Sequence, residues 1–343
     1  MAHIMKVLVT GGAGFIGSNF VRYALRQHPN WQVTTLDALT YAGRRETLHD
    51  VIDHPRHAFV HGNITDATVV EPLVQDADII VHFAAETHVD RSIQSAASFI
   101  QTDVIGTFVL LEAARLNTAL QRFVQISTDE VYGSVTTGKS RETDALMPRN
   151  PYAASKAAAD RLAYSYWATY GVPVIVTRAS NNYGPYQFPE KLIPLFVTNA
   201  IKGDTVPLYG DGLNVRDWLH VEDHCRAIDV LLGVGTNGEI YNIGGGNEVT
   251  NLDLTHRILA LLKLPTTRIR PVTDRLGHDR RYALDTTKLR SLGWRPRADI
   301  STALEETVDW YRENEWWWRP LTATKVRPRG QLTERQLKRL EDW

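Results

Sequence analysis

Short apolar runs separated by stretches of helical spacing set the rhythm of the chain. Residues 6–9 (KVLV) form the first run; the glycine-rich TGGAGFIGS follows, and then Phe20, Val21 and Leu25 recur at helix spacing. This is the pattern of a strand, a tight turn and a helix. Further strands are expected at 33–36 (VTTL), 58–60 (AFV), 79–83 (IIVHF), 123–126 (FVQI) and 174–177 (VIVT), with helix-period stretches such as 101–116 between them. Such alternation predicts an α/β fold on a Rossmann-type, doubly wound parallel sheet. After Asn181 the texture changes, as Pro185, Pro189, Pro194, Pro207 and several glycines cut the chain into shorter pieces. A smaller C-terminal substrate-binding lobe is expected there, closing over the carboxyl ends of the strands. The expected division is 5–180 for the sheet domain, 181–322 for the lobe and 323–343 for a C-terminal extension. Residues 222–232 read as a helix, and about 215–240 are expected to return to the first domain. In the extension, Thr333 and Gln336 have capping-box spacing ahead of Leu337 and Leu340, which predicts a short terminal helix. Met1–Ile4 precede a second methionine, Met5, and read as an expression scar.

Composition narrows the classes. A chain that is 43% hydrophobic and 22% charged can bury a large core. Its net charge of -1 offers no basic field for a phosphate backbone, so a small ligand is a better expectation than nucleic acid. The one cysteine, Cys225, cannot form an internal disulfide, and no charged-then-apolar leader opens the chain, so a cytoplasmic location is expected. Apolar runs such as 104–111 are broken by glycine or charge before they reach the length of a membrane span. Neither a membrane partner nor a bound metal is expected.

The chemistry begins at the first turn. Gly11, Gly14 and Gly17 lie between a strand and a helix, where missing side chains let the backbone approach a pyrophosphate and the helix N-terminus favours negative charge. Phe15 and Ile16 open that helix and join the candidate cofactor contacts. An ordinary tight turn would carry the same glycines, but Asp37 ends the second strand about 20 residues further on. A carboxylate there accepts hydrogen bonds from ribose hydroxyls and repels a 2'-phosphate, which favours NAD; Arg44 and Arg45 keep NADP as the weaker option. Asn63, in GNITD, is a candidate adenine contact or a simple turn residue, and Ile64 beside it joins the cofactor set. Ala84 and Ala85 are small enough to let a cofactor lie close, or are core packing; Thr102 completes the candidates.

Tyr152 and Lys156 are four residues apart in PYAASKAAADRLAYSY, so both lie on one face of a helix opened by Pro151. A phenol with a pKa of about 10 is a poor base at neutral pH, but an ammonium and a cationic nicotinamide nearby would favour the phenolate. Alone, such a pair is common on helix surfaces; behind a dinucleotide turn it reads as catalytic. Thr128, Asp129 and Glu130, in ISTDEVYG, follow the fifth strand and fall at the ligand-facing carboxyl end of the sheet. They would also suit a plain capped turn. Adjacent carboxyl groups in a closed site resist double ionisation, so one can stay a protonated acid while the other acts as base, a pairing suited to elimination.

Taken together, TGGAGFIGS, HFAAETHVDRSI, STDEVYG, the Tyr152 and Lys156 pair, SNNYGPYQFPEKLIPLF and GLNVRDWLHVEDH resemble the dTDP-glucose 4,6-dehydratases, within the extended short-chain dehydrogenases, from about residue 6 to about 320. The resemblance implies an NAD-dependent hydro-lyase that turns dTDP-glucose into dTDP-4-keto-6-deoxyglucose, a precursor of deoxysugars. Asp129 with Glu130 sets the reaction class, since related epimerases usually lack both acids and related decarboxylases usually keep only the glutamate. By the same resemblance Tyr152 takes the 4-hydroxyl proton, Thr128 holds that hydroxyl, Glu130 removes the hydrogen at C5 and Asp129 protonates the leaving 6-hydroxyl. Glu86, Asn182, Lys191 and Leu192 are implied along the nucleotide-sugar, Arg216 and Asn247 near the pyrophosphate, Leu208 and Tyr209 near the base, with Arg281 and Tyr282 from RLGHDRRYALDTTKL in the same lobe. Arg216 would serve as a fork for phosphate oxygens or, more plainly, as a surface ion pair with Asp217 or Asp223. His88 and Asp90 shape the pocket floor or are packed residues. Asn63 departs from the family's usual aspartate. Family members pair through two helices per subunit, here 101–116 and 152–170, so a homodimer is implied. Rival readings are a UDP-glucose 4,6-dehydratase, a C4 epimerase or decarboxylase on the same scaffold, and a nucleotide-binding regulator without catalysis.

Overall fold

The structure is a computed structural model that describes residues 4–275 and 277–323. The expected terminal helix around Thr333 and Gln336, the rest of the extension past Ala323, and Met1–His3 lie outside the described residues.

Seven parallel strands form the main sheet: β1 (Met5–Thr10), β2 (Trp31–Asp37), β3 (His57–His61), β4 (Ile79–His82), β5 (Arg122–Thr128), β6 (Val174–Ala179) and β10 (Ile240–Ile243). Their order is β10-β6-β5-β4-β1-β2-β3, so the direction of winding reverses between β1 and β4. A crevice opens at such a reversal, outside the carboxyl ends of the strands. Alternation along each strand feeds two separate cores. Val7, Val9, Ile79, Val81 and Val124 meet α1 (Phe15–Gln27) and α8 (Val221–Val234) through Phe20, Val21, Ala24, Ile228 and Leu232. The residues between them, Leu8, Ile80 and Phe123, meet α2 (Ala67–Gln75), α5 (Thr107–Leu116) and α6 (Pro151–Tyr170) through Val70, Val74, Leu110, Leu111 and Ala163. With both faces covered, β4 and β6 are buried at every position, which is why each opens on an apolar run, IIV and VIV.

Local chemistry sets the helix that matters most. The side chain of Asn150 accepts from Ala153 N at 2.8 Å, Pro151 takes the first helical position, and Gly171 closes α6 in the left-handed region at φ 74°. The expected helix 101–116 is longer and less regular: α4 (Ala97–Phe99) runs into a π-helical stretch, Ile100–Gly106, and then into α5. By length and composition Ala97–Leu116 would pass for a membrane span, which the run 104–111 alone did not suggest. In the fold α5 packs against α2 and α6.

The second lobe holds β7 (Asn181–Tyr183), β9 (Val215–His220) and β11 (Glu248–Thr250) in one sheet and β8 (Val206–Tyr209) with β12 (Ile269–Val272) in another. Its core joins α7 (Leu192–Ile201), α9 (Asn251–Leu261), α11 (Ile300–Glu313) and α12 (Glu315–Ala323) through Phe196, Leu254, Leu304, Tyr311, Trp317 and Trp318. From this lobe the chain returns to the main sheet twice, as α8 against α1 and as β10 beside β6. Two further short helices are α3 (Val89–Gln94) and α10 (Thr287–Ser291).

Candidate active site

At the β1–β4 reversal, Gly11 leaves β1 at φ +69°, and a Cβ there would lie 2.6 Å from the backbone nitrogen of Ala84. A Cβ on Gly17 would strike the Gly11 carbonyl oxygen. The turn is therefore a bare backbone cradle beneath the N-terminus of α1, where the first-turn N–H groups of Phe15, Ile16 and Gly17, behind Gly14, lack intrahelical acceptors. Asp37 stands at the end of β2; its carboxylate accepts from Ala13 N at 2.9 Å and Leu39 N at 2.8 Å, and burial pushes its pKa up. These residues fit a dinucleotide: at Gly11 and Gly17 backbone packs against backbone where a side chain would stand, and the Asp37 carboxylate is bonded to Ala13 of the same turn. The two arginines kept for a 2'-phosphate are engaged elsewhere. Arg44 pairs with Glu46 at 3.3 Å, and Arg45 lies over the Phe59 ring. Asn63 is an exposed turn residue whose Oδ1 accepts from both the nitrogen and the hydroxyl of Thr65, so only its amide nitrogen is left for a ligand. Ile64 is buried in the core against Gly106, a packing role. Ala84 and Ala85 are partly buried after β4, and Thr102 is partly buried within the π stretch.

β5 ends at Thr128 and turns at once into a single 3-10 turn, Asp129–Tyr132. Thr128 Oγ1 accepts from Glu130 N at 3.3 Å and donates to Asp129 Oδ1 at 3.2 Å, so it caps the turn and orients an acid together. Asp129 is 3% exposed, and its Oδ2 has no hydrogen-bond partner among the described residues. Burial first, then the Glu130 charge, hold its carboxyl well above the usual range, against a pull from Arg216. Glu130 Oε2 is reached by Asn150 Nδ2 and by the Tyr282 hydroxyl, both at 3.4 Å. Asp129 is thus the buried, proton-favouring member of the pair, and Glu130 beside it is half-buried.

Tyr152, in the first turn of α6, is buried, and burial followed by the charges of Glu130 and Asp103 holds its phenol well above the ordinary value, against a hydrogen bond with Thr128. The phenolate reading calls on a cationic nicotinamide as well as on Lys156, and in the protein alone burial favours the neutral phenol. Lys156 Nζ is anchored on the Ile126 carbonyl at 2.6 Å; burial lowers its pKa, and Asp103 and Asp160 raise it.

Asp103 was not anticipated from the sequence. It sits in the π stretch, 1% exposed, accepting from Ser155 Oγ at 2.5 Å and from Glu86 N at 2.8 Å. Burial raises its carboxyl to about 6, with Lys156 pulling down. The signal was available as a lone acid in the apolar run TDVIGTFVLL. Beside it, His82 bridges Thr10 and Thr107 at 2.7 and 3.0 Å and is held neutral, its pKa lowered to about 3 by burial and by Lys156.

The lobe supplies the remaining groups. Arg216, on β9, is buried with its guanidinium 4.4 Å over the Tyr282 ring, and it donates to the carbonyls of Val215 and Asp279. The surface ion pair is not what forms: Asp217 accepts from Asn247 N at 2.7 Å, and Asp223 takes Arg226 and the Arg297 and Ala298 backbone. Tyr282 donates to Asp279 at 2.6 Å and reaches Glu130, which ties the lobe to the acids. Arg281 turns away from that cluster, clasping Glu248 at 2.8 Å and the Gly138 carbonyl. Lys191 Nζ donates to the Thr87 carbonyl at 2.5 Å just before Leu192 opens α7, and the Glu86 carboxyl is raised by burial. Asn182 accepts from His224 Nδ1 at 2.9 Å. Leu208 is buried in β8, whereas Tyr209 after it is 40% exposed. His88 caps α3 and is held neutral by burial, near 3, as a packed histidine would be; Asp90 lies 3.8 Å from Arg275.

Residues 8–307 match the sequence model of a family described as GDP-mannose 4,6 dehydratase. The chain is 54% identical to a dTDP-glucose 4,6-dehydratase of Streptomyces antibioticus, over 95% of this chain and 97% of that one. It is 55% identical to the low-salt glycan biosynthesis protein Agl12 of Haloferax volcanii, over 90% of this chain and 98% of that one. Among solved structures, DesIV of Streptomyces venezuelae, a dTDP-glucose 4,6-dehydratase with NAD and TYD bound, superposes with a TM-score of 0.90 at 53% identity, covering 92% of this chain and 100% of that one.

Proposed function

The chain belongs to the GDP-mannose 4,6-dehydratase family and, within it, to the dTDP-glucose 4,6-dehydratases, and from that premise we infer how its residues divide the reaction. It is an NAD-dependent hydro-lyase that converts dTDP-glucose to dTDP-4-keto-6-deoxyglucose and water. NAD, held by the glycine turn and Asp37, would supply the hydride acceptor for C4 of the glucosyl ring and the hydride donor for C6. Tyr152 accepts the 4-hydroxyl proton, steadied by Thr128, and its phenol ionises under the positive charge that the oxidised nicotinamide brings, with Lys156 behind it. The C4 ketone acidifies the hydrogen at C5, which Glu130 removes as a proton. Asp129 gives its own proton to the 6-hydroxyl, and the C6–O bond breaks with loss of water. After hydride returns to C6, C5 regains a proton. The observation that carries this reading is Asp129: a buried carboxyl whose pKa burial and the Glu130 charge raise well above the ordinary range, with one oxygen unpartnered among the described residues, beside the half-buried Glu130. Arg216, Asn182, Lys191 and Tyr282 hold the nucleotide-sugar; Arg281 supports that lobe through Glu248.

The test is incubation of the purified protein with dTDP-glucose and, separately, UDP-glucose in heavy water, followed by mass analysis. Loss of one water with deuterium at C5 is the expected result, faster for dTDP-glucose. An unchanged mass with both substrates would remove the assignment of Asp129 and Glu130, and a faster reaction of UDP-glucose would move the base preference.

A homodimer is part of the proposal. An apolar stripe on neighbouring helices supports it: Ile105 is 40%, Phe108 43% and Leu116 64% exposed, and Tyr164 and Tyr170 on α6 are 37% and 55% exposed. Light scattering should give twice the chain mass, and Phe108→Glu should shift it toward the monomer. A cytoplasmic location suits the single buried thiol, Cys225, and is checked by fractionation.

A further inference from the structure

The tryptophan-rich segment DWYRENEWWWRPL has no part in the chemistry above, yet it reaches the segment that packs on the cofactor turn. Trp317, on α12, belongs to the core of the second lobe, whereas Leu48 belongs to the core beneath the main sheet. Between those two cores, Trp317 Nε1 donates to Thr47 Oγ1 at 3.2 Å, and both residues are almost fully buried. Thr47 is held from the other side as well, since Arg22 of α1 donates to its carbonyl and stacks 4.0 Å over Tyr186 of the lobe. The short segment that carries Thr47 leans on the dinucleotide turn. Arg44 N donates to the Ala13 carbonyl at 3.1 Å, and Ala13 N donates in turn to Asp37. A Cβ on Gly43 would press into the Asp37 carboxylate, so there is no slack between that segment and the acid.

We propose that Thr47 and Trp317 are positioning residues for the cofactor, and that their hydrogen bond, by fixing residues 43–48 against the Ala13 turn and Asp37, slows the release of the dinucleotide. This rests on the reading that the turn holds NAD. It gives the aromatic strap a reason in the reaction: the hydride taken from C4 must return to the same sugar, so a reduced cofactor lost in mid-turnover strands a keto intermediate. A neutral hydrogen bond of this kind contributes about 1 kcal/mol, which corresponds to about fivefold in a release rate.

The experiment loads full-length protein with NADH and follows its fluorescence after a chase with excess NAD. Thr47→Val and Trp317→Phe are each expected to release NADH about fivefold faster, and the double variant no faster than either alone. Thr47→Ser keeps the hydroxyl and should restore slow release. Trp318→Phe is the control for mere stability, because it removes a hydrogen bond to the Tyr311 carbonyl within the lobe and leaves Thr47 untouched. Release unchanged in Thr47→Val, or accelerated as much by Trp318→Phe, overturns the proposal; if Trp317→Phe does not fold, the Thr47 pair decides alone. Failure of the wild-type protein to bind NADH would instead overturn the cofactor reading itself.

Discussion

Replacing Asp129 by Asn isolates the step that makes this enzyme a lyase. The amide keeps the shape of the carboxyl, so its Oδ1 can still accept from Thr128 Oγ1, now 3.2 Å from Asp129 Oδ1. Because burial and the Glu130 charge favour the protonated form of the wild-type carboxyl, the exchange comes close to swapping one neutral group for another. Folding stability should therefore move by no more than about 1 kcal/mol, and the charge felt by Glu130 should not change. What disappears is a transferable proton. Loss of a positioned general acid costs about 100- to 10,000-fold, or about 3–5 kcal/mol in the barrier to water loss. C4 oxidation and C5 exchange should survive. In a single-turnover mixture with dTDP-glucose in heavy water, the near-ultraviolet absorbance of reduced nicotinamide should rise and persist, and deuterium should enter C5 of recovered substrate while dehydrated product lags. Product formed within about tenfold of the wild-type rate would refute the assignment of Asp129 as the acid. So would variant protein that binds substrate yet forms no reduced nicotinamide, since Asp129 would then be needed before elimination begins.

Three further outcomes follow from the geometry. The Asp103 carboxyl is raised from 3.8 to about 6, so the folded protein holds a proton that the unfolded chain releases across that window; this contribution is present below about pH 4 and lost as pH rises to about 6, about 3 kcal/mol in all. Asp103→Asn should make stability climb more steeply with pH there, by up to about 1.4 kcal/mol per unit in urea titrations, and an unchanged slope would contradict it. Gly17→Ala would drive a Cβ into the Gly11 carbonyl, so it should cost about 1–3 kcal/mol of stability and abolish NAD retention; retained NAD after purification would show that the turn can yield. Arg216→Lys loses the planar fork and its stacking on Tyr282, so KM for dTDP-glucose should rise about tenfold or more with a smaller change in kcat, and an unchanged KM would place the pyrophosphate elsewhere.

The sheet was legible because its central strands are buried on both faces and so carry unbroken apolar runs, as IIVH does in β4. β10 was not, since IYNI is four residues long and joins the sheet only by returning across the lobe to pair with β6. The same holds for β7, β9 and β11, whose pairing joins distant, short segments that no local periodicity connects. Within the site, the glycine turn, Asp37 and the Tyr152 and Lys156 pair could be anticipated because each depends on neighbours in sequence. Asp103 meets Ser155 across 52 residues, and Arg281 is drawn to Glu248 across 33; contacts of that range leave no mark in spacing. How strongly burial favours the neutral phenol of Tyr152 is likewise beyond spacing, because it depends on how deeply the ring is buried and on which charges face it.

The π-helical stretch Ile100–Gly106 ties two properties to one residue count. A π turn holds about one residue more than an α turn, so it behaves as an insertion preserved in the middle of a helix. Within it lies Asp103, turned inward to Ser155 and Glu86; downstream lie Phe108 and Leu116, turned outward. Removing that one extra residue would let the helix run as regular α while both flanks keep their faces, so the stretch itself is where a change of length is absorbed. A residue removed from the regular turns of α5 would instead swing everything beyond it by about 100° and turn the outward apolar positions from their face. A protein engineer who shortens this helix should therefore cut within the stretch, where the setting of Asp103 is at stake, and expect a cut in α5 to disturb the proposed subunit contact.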